Sequence, residues 1–249
     1  MTSKKTEPKI LILDIETRPV LAYVWGLFKQ NIGLNQIVED GGTLCVGAKW
    51  HGEKGVKVFS VWEHGQIGMA IGVHAMMAEA DAIITYNGDR FDLPRLNGEF
   101  VTANLTPPPP PTSIDLLKTV RKLGLTSGKL AYVGPFLKLG GKMKHEGFEL
   151  WSSVLAGDKD AQRRMEAYCV QDVVLTEQVY DRLKPYIKNH PHLSYDGTDV
   201  PACGACGSHN SHKRGLRYTK YFKVQRLQCQ NCGSWHDGKR EKIKKYATE

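Results

Sequence analysis

Apolar positions along the chain fall into runs whose periodicity alternates between that of strands and that of helices. Three β-rich runs come first, Lys9 to Asp14, Thr43 to Trp50 and Val56 to Trp62, the last two flanking the turn-forming His51-Gly52-Glu53-Lys54-Gly55. They predict an antiparallel meander. A helical stretch follows from about Gln66 to Ala80, then a short apolar strand, Ala82 to Tyr86, then a helix from Phe91 to Asn104. Five successive prolines, Pro107 to Pro111, fit neither a helix interior nor a central strand, so they predict a stiff extended connector before a strand over Ser113 to Leu117. Between Leu123 and Gly147 the composition turns to Gly and Lys, which predicts short helices and loops. From Asp158 to about Ile187 the helical pattern returns, with Met165, Tyr168, Val173, Leu175, Val179, Tyr180 and Leu183 spaced to share one apolar face.

A length of 249 residues suits one α/β core plus a small accessory module. Hydrophobic content of 41% with 24% charged residues is that of a globular protein and argues against long disorder or a fibrous repeat. Met1 to Lys9 is polar and lysine-rich, without the apolar centre of a secretory signal. The apolar stretch Ile67 to Ile84 is interrupted by His74, Glu79 and Asp81, whereas a membrane span needs about 20 mostly apolar residues. The expectation is a cytoplasmic protein with no membrane partner.

Charge is distributed unevenly. The whole excess of +8 lies in residues 201–249, where eleven Lys or Arg face three acids, and residues 1–200 balance at zero. A polyanion would be drawn to that tail. Of the six cysteines, Cys45 and Cys169 stand singly in apolar surroundings and read as small hydrophobes. The other four, Cys203, Cys206, Cys229 and Cys232, form two C-x-x-C pairs, a pattern that favours a metal over disulfides.

Three acidic segments carry the candidate chemistry. Asp14 and Glu16 end the first strand, and side chains two apart on an extended backbone point the same way, so both carboxylates are presented at the edge of a sheet. Asp92 closes Asn87-Gly88-Asp89-Arg90-Phe91-Asp92, a polar turn into a helix, where an aspartate also serves as a cap. Tyr168 and Asp172 lie one turn apart on the late helix. A carboxylate on an otherwise apolar face needs a partner, which a lysine or a metal would supply.

Asp-x-Glu after a first strand, Asn-x4-Asp after a middle strand and Tyr-x3-Asp in a late helix, in that order, resemble the DEDD exonuclease superfamily. The subgroup is the one with tyrosine in its third motif, to which polymerase proofreading domains of RNase H-like fold belong. The resemblance covers about residues 8–188. It implies an RNase H-like mixed β-sheet flanked by helices and a 3′ to 5′ exonuclease that hydrolyses nucleic acid to nucleoside monophosphates, with single-stranded DNA favoured. Carried over by motif position, Asp14, Glu16, Asp92 and Asp172 would hold two Mg²⁺ or Mn²⁺ ions, with Asp14 bridging both and Tyr168 orienting the attacking water. Oxygen-rich carboxylate sites suit those cations, which stabilise both oxygens of an in-line displacement. Thr17 would bond the terminal nucleotide, and Asn87 would either steady its turn or touch the substrate. No polymerase fits in the chain, so proofreading would act in trans, with a polymerase or another replication or repair protein as partner. An RNA 3′ exonuclease and a non-catalytic nucleic-acid adaptor are the competing expectations. Lys129, Lys138, Lys142, Lys144 and His145 either line the substrate path or form a solvated face.

The four cysteines have the spacing of a zinc ribbon, in which two knuckles hold one structural Zn²⁺. Gly204, Gly207 and Gly233 supply flexible backbone there. Arg217, Tyr218, Lys220, Tyr221 and Lys223 interleave cations with aromatics along an expected hairpin, a pattern that suits single strands. A hairpin whose aromatics cover its own small core, or dock a protein, is the alternative. The expected organisation is a nuclease domain over 1–189, a linker over 190–202 and a basic zinc-ribbon module over 203–249.

Overall fold

The computed structural model describes residues 8–143, 146–188, 190–191 and 202–243. In chain order the elements are β1 (Ile10–Arg18), β2 (Leu21–Ala22), β3 (Ile37–Glu39), β4 (Gly42–Trp50), β5 (Lys57–Ser60), α1 (Val61–Glu79), β6 (Ala82–Thr85), α2 (Asp92–Thr102), β7 (Thr112–Asp115), α3 (Leu116–Val120), α4 (Leu130–Phe136), α5 (Phe148–Leu155) and α6 (Lys159–Leu183). Three further strands follow: β8 (Ser211–Tyr218), β9 (Phe222–Cys229) and β10 (Trp235–Lys242). Lys9–Tyr180 forms one compact unit, and the chain from Asp181 onward belongs to another.

The first unit is built on a five-stranded mixed sheet of order β5-β4-β1-β6-β7. The expected antiparallel meander is present as β1, β4 and β5. Beside it β6 runs parallel to β1, and β7 parallel to β6. Two expectations need correction. β1 does not stop at Asp14 but continues to Arg18, and it is the central strand, so Asp14 and Glu16 sit mid-sheet rather than at an edge. The strand expected through Leu117 ends at Asp115, because Asp115 caps α3 by accepting from the Leu117 amide at 3.0 Å.

Alternation along β1 divides its side chains between two helical layers. Leu11, Leu13 and Ile15 enter a core with Val46, Ala48, Met69, Val73, Met77, Ile83, Leu96 and Phe100, closed by α1 and α2. On the opposite face Leu44 and Cys45 pack with Leu150, Val154, Ala161, Met165 and Cys169 of α5 and α6. α1 is broken at Gly65, whose φ of 67° only glycine adopts readily, so regular helix begins at Gln66 as the periodicity predicts. All seven apolar residues assigned to one face of α6 are buried.

Between β1 and β4 an arm leaves the sheet. Its base is the antiparallel pairing of β2 with β3, and it carries large apolar side chains in solvent. The second unit holds a three-stranded antiparallel sheet of order β10-β9-β8, with the expected hairpin turning at residues 219–221. Most of the expected linker, 190–202, lies outside the described residues. Among the described residues, no helix is long and apolar enough to cross a membrane.

Candidate active site

Asp14, Glu16 and Asp172 each offer a carboxylate oxygen within 4.8 Å of the others. Two backbone facts bring them together. Asp14 and Glu16 share the face of β1 that α6 covers. Opposite Asp14 on β4 stands Gly47, where an added Cβ would lie 2.8 Å from Val173 Cγ2 and 3.1 Å from Cys169 Sγ. The missing side chain lets α6 press against the sheet, close enough for the Cys169 thiol to donate to the Asp14 carbonyl at 3.7 Å. Asp172, three residues further along the helix, thereby reaches the strand acids.

Asp92 stands outside that trio but next to it. It is the first residue of α2, is buried, and accepts the Ile15 amide at 3.2 Å, where β1 has ceased to pair with β6 beyond Ile12. Thus Asp92 fastens the helix start to the strand that carries the other acids.

Crowding and burial disfavour charge throughout the cluster. Burial, then the charges of Asp92, Glu16 and Asp172, push the Asp14 carboxyl well above the usual carboxylate range. Glu16 is pushed up to about 8 by burial and by Asp172 and Asp92. Asp92 rises to about 7, chiefly by burial, with its amide hydrogen bonds opposing and Asp115 reinforcing. Metal-free, these residues therefore retain protons rather than all ionise together.

Among the described residues, Lys142 reaches them. Lys142 Nζ forms an ion pair with Asp172 Oδ2 and donates to the Tyr168 hydroxyl at 3.0 Å, lying 5.0 Å from the centre of that ring. Burial works against its charge, but Asp172 holds it protonated above the ordinary lysine range. The lysine foreseen as one possible partner for Asp172 is therefore present. Burial pushes the Tyr168 phenol up, so it stays neutral at physiological pH.

A cleft of about 740 Å³ opens from Asp14 and is lined by Asn87, Arg121, Lys129 and Lys142. Its size is within the range of ligand sites. Asn87 sits at a left-handed φ of 72°, its amide donating to Asp115 at 2.8 Å. Thr17 is not in the acid cluster; its carbonyl accepts from Trp151 Nε1 at 2.9 Å. Asp89 turns instead to Ser113 and Lys118. Lys138 is exposed and absent from the cleft lining, and Lys144 and His145 lie outside the described residues. Arg121 and the buried Asp115 went unnoticed in the sequence, since neither lies in a motif and only the fold places them beside the acids. Cys45 and Cys169, isolated in sequence, meet side by side where β4 touches α6, and their contact raises the Cys169 thiol.

In the second unit the four cysteine sulfurs converge within 4.8 Å. Cys203 and Cys232 are 3.7 Å apart and Cys206 and Cys229 3.6 Å apart. A disulfide needs about 2.05 Å, whereas tetrahedral bonds of about 2.3 Å to one zinc place sulfurs roughly 3.8 Å apart. The group is thus compatible with a zinc ribbon. Both knuckles share one pattern: Gly207 and Gly233 donate to the carbonyls of Cys203 and Cys229 at 2.7 and 3.0 Å, each glycine at positive φ. Burial pushes the Cys229 thiol up, but the amides of Cys232 and Asn231 outweigh it and bring it to about 7. On the ribbon hairpin Tyr218 and Tyr221 are exposed, Lys220 lies 5.2 Å from the Tyr221 ring, and Arg217 is engaged by Asp237. The aromatics therefore do not bury themselves in a local core.

No curated protein matches this chain closely enough to count as a relative. A family model described as the RNase H superfamily matches residues 11–184, the span that carries β1, the acid cluster and α6, and by that match the chain belongs to the RNase H superfamily.

Proposed function

We propose that this protein is a two-metal-ion 3′ to 5′ exonuclease that releases nucleoside monophosphates from single-stranded nucleic acid, with DNA favoured. The observation that carries the reading is the convergence of Asp14, Glu16 and Asp172, with Asp92 adjoining, on one side of the central strand. Membership of the RNase H superfamily supports nucleic-acid cleavage. The 3′ direction and the DNA preference rest on the motif resemblance.

The donor set fits divalent cations. It is all carboxylate oxygen, which suits Mg²⁺ or Mn²⁺, and its proton affinities are raised by burial and by repulsion among the acids, which Lys142 opposes without cancelling. In this reading Asp14, Glu16, Asp92 and Asp172 hold the ions. When bound, the ions supply Lewis-acid stabilisation of charge on the attacking and leaving oxygens. Tyr168 keeps its proton, and in this reading its hydroxyl, held by Lys142 beside Asp172, orients the attacking water. Lys142, Lys129 and Arg121 attract the phosphates of a strand lying in the cleft.

The ribbon cysteines hold one structural Zn²⁺, since a module of this size has too little core to fold well alone. Its exposed tyrosines and basic strands serve as an accessory grip on the strand. Incubation with end-labelled single-stranded DNA and RNA, in Mg²⁺, in Mn²⁺ and with a chelator, tests the reading. Ladders shortening from the 3′ end of DNA are expected. Cleavage of RNA alone would reassign the substrate, and no cleavage by a zinc-loaded preparation would leave a nucleic-acid adaptor.

A further inference from the structure

The arm between β1 and β4 exposes several large apolar side chains. Trp25 is 98% exposed, Leu27 88% and Phe28 85%, with Tyr23 and Leu34 also largely in solvent. Contiguous apolar exposure on this scale marks a binding surface rather than ordinary surface. The base of the arm is organised: the Tyr23 amide donates to the Gln36 carbonyl at 2.9 Å, Gln36 Nε2 to the Tyr23 carbonyl at 2.8 Å, and the Gly33 amide to Gln36 Oε1 at 2.8 Å. The exposed rings are therefore carried outward on a hydrogen-bonded support.

We propose that this arm is a base-stacking platform for the unpaired strand entering the acidic site; the inference rests on the exonuclease reading and names the state of its substrate. Two observations choose nucleic acid over other occupants. The arm continues directly from β1, and at about 3.3 Å per strand residue its first residue, Pro19, lies about 10 Å along the chain from Glu16, within a few nucleotides of the reacting end. Glu39 and Asp40 lie at the foot of the arm, where Arg18 pairs with Glu39 at 3.7 Å, but from Pro19 to Val38, the stretch that carries the aromatic side chains, the one charged residue is the cation Lys29, which favours a phosphate backbone. Tyr23, Trp25 and Phe28 offer three aromatic faces, which stack on any base irrespective of sequence.

The test uses the full-length, zinc-loaded protein and the double variant W25A/F28A. Binding of fluorescent oligo(dT), oligo(U) and an abasic oligomer of equal phosphate number is measured in Ca²⁺, and hydrolysis of a thymidine 5′-phosphate aryl ester, too small to reach the arm, is measured in Mn²⁺. We expect the wild type to prefer both base-bearing strands to the abasic one, and the variant to lose about tenfold or more on those strands while binding the abasic strand and cleaving the ester unchanged. A larger loss on oligo(dT) than on oligo(U), or the reverse, would assign the stacked strand as DNA or RNA. Equal affinity of variant and wild type for base-bearing strands would overturn the platform, as would a variant that only converts a self-associated protein to monomer in sedimentation. Failure of the wild type to cleave the ester while these binding differences persist would count against the exonuclease reading and leave the platform standing.

Discussion

Replacing Glu16 with Gln should stabilise the metal-free protein, by an amount that grows with pH. Glu16 ionises near 8 in the folded state against an ordinary 4.5, because burial and the charges of Asp172 and Asp92 oppose its ionisation. The folded protein thus holds a proton that the unfolded chain releases, and stability that is fully present below pH 4.5 is lost as pH rises through 8. At about 1.4 kcal/mol per pKa unit, this one group costs roughly 2 kcal/mol at pH 6 and about 4 kcal/mol at pH 8, both as ceilings. The neutral amide of the variant carries no such cost. Urea unfolding of the full chain in metal-depleted buffer, followed by circular dichroism at pH 6, 7 and 8, should show E16Q more stable than wild type, with the gap widening by about 2 kcal/mol across that range. With a urea slope of about 2 kcal/mol per molar, the midpoints would separate by about a further 1 M. Added Mg²⁺ should stabilise the wild type more than the variant and close the gap. A gap that does not change with pH, or a variant less stable at pH 8, would refute the electrostatic reasoning.

Three other outcomes are expected. Gly47→Ala forces a Cβ against Val173 and should cost about 1–3 kcal/mol in urea unfolding, with a larger relative loss of cleavage than of strand binding as α6 is levered from β1. Cys206→Ser should lower bound zinc, counted by atomic absorption, from one per chain towards none, while the wild type keeps its zinc through repeated gel filtration. Deleting residues 201–249 should weaken single-strand binding and flatten its dependence on salt, because eleven of the cations leave with that segment, and an unchanged slope in a fluorescence titration would contradict the role given to the ribbon.

Much of the site was legible because each of its parts has a local signature. Period-two alternation put Asp14 and Glu16 on one face, and four-residue spacing put Tyr168 and Asp172 on adjacent turns. Local pattern also carried the cysteine knuckles and the apolar face of α6. Legibility stopped where a role depends on contacts distant in sequence. Lys142 sat in a Gly and Lys-rich stretch in which every lysine reads alike, and only the packing of that loop against α6 singles it out. Asp115 ends a short strand and is acidic company for Asp92 only through the parallel pairing of β6 with β7. The central position of β1 depended on β6 pairing beside it from about 70 residues away, which no run of apolar residues announces. The arm escaped notice for a different reason: Val20 to Leu34 is apolar enough to look like core, and burial is not written in composition.

Crystals grown with Mn²⁺ and measured at the manganese absorption edge would test the central claim most directly. The account expects two anomalous peaks about 4 Å apart, bounded by carboxylate oxygens of Asp14, Glu16, Asp92 and Asp172, with Lys142 displaced from Asp172. Manganese bound elsewhere, with the four acids still satisfied by Lys142 and protons, would contradict it.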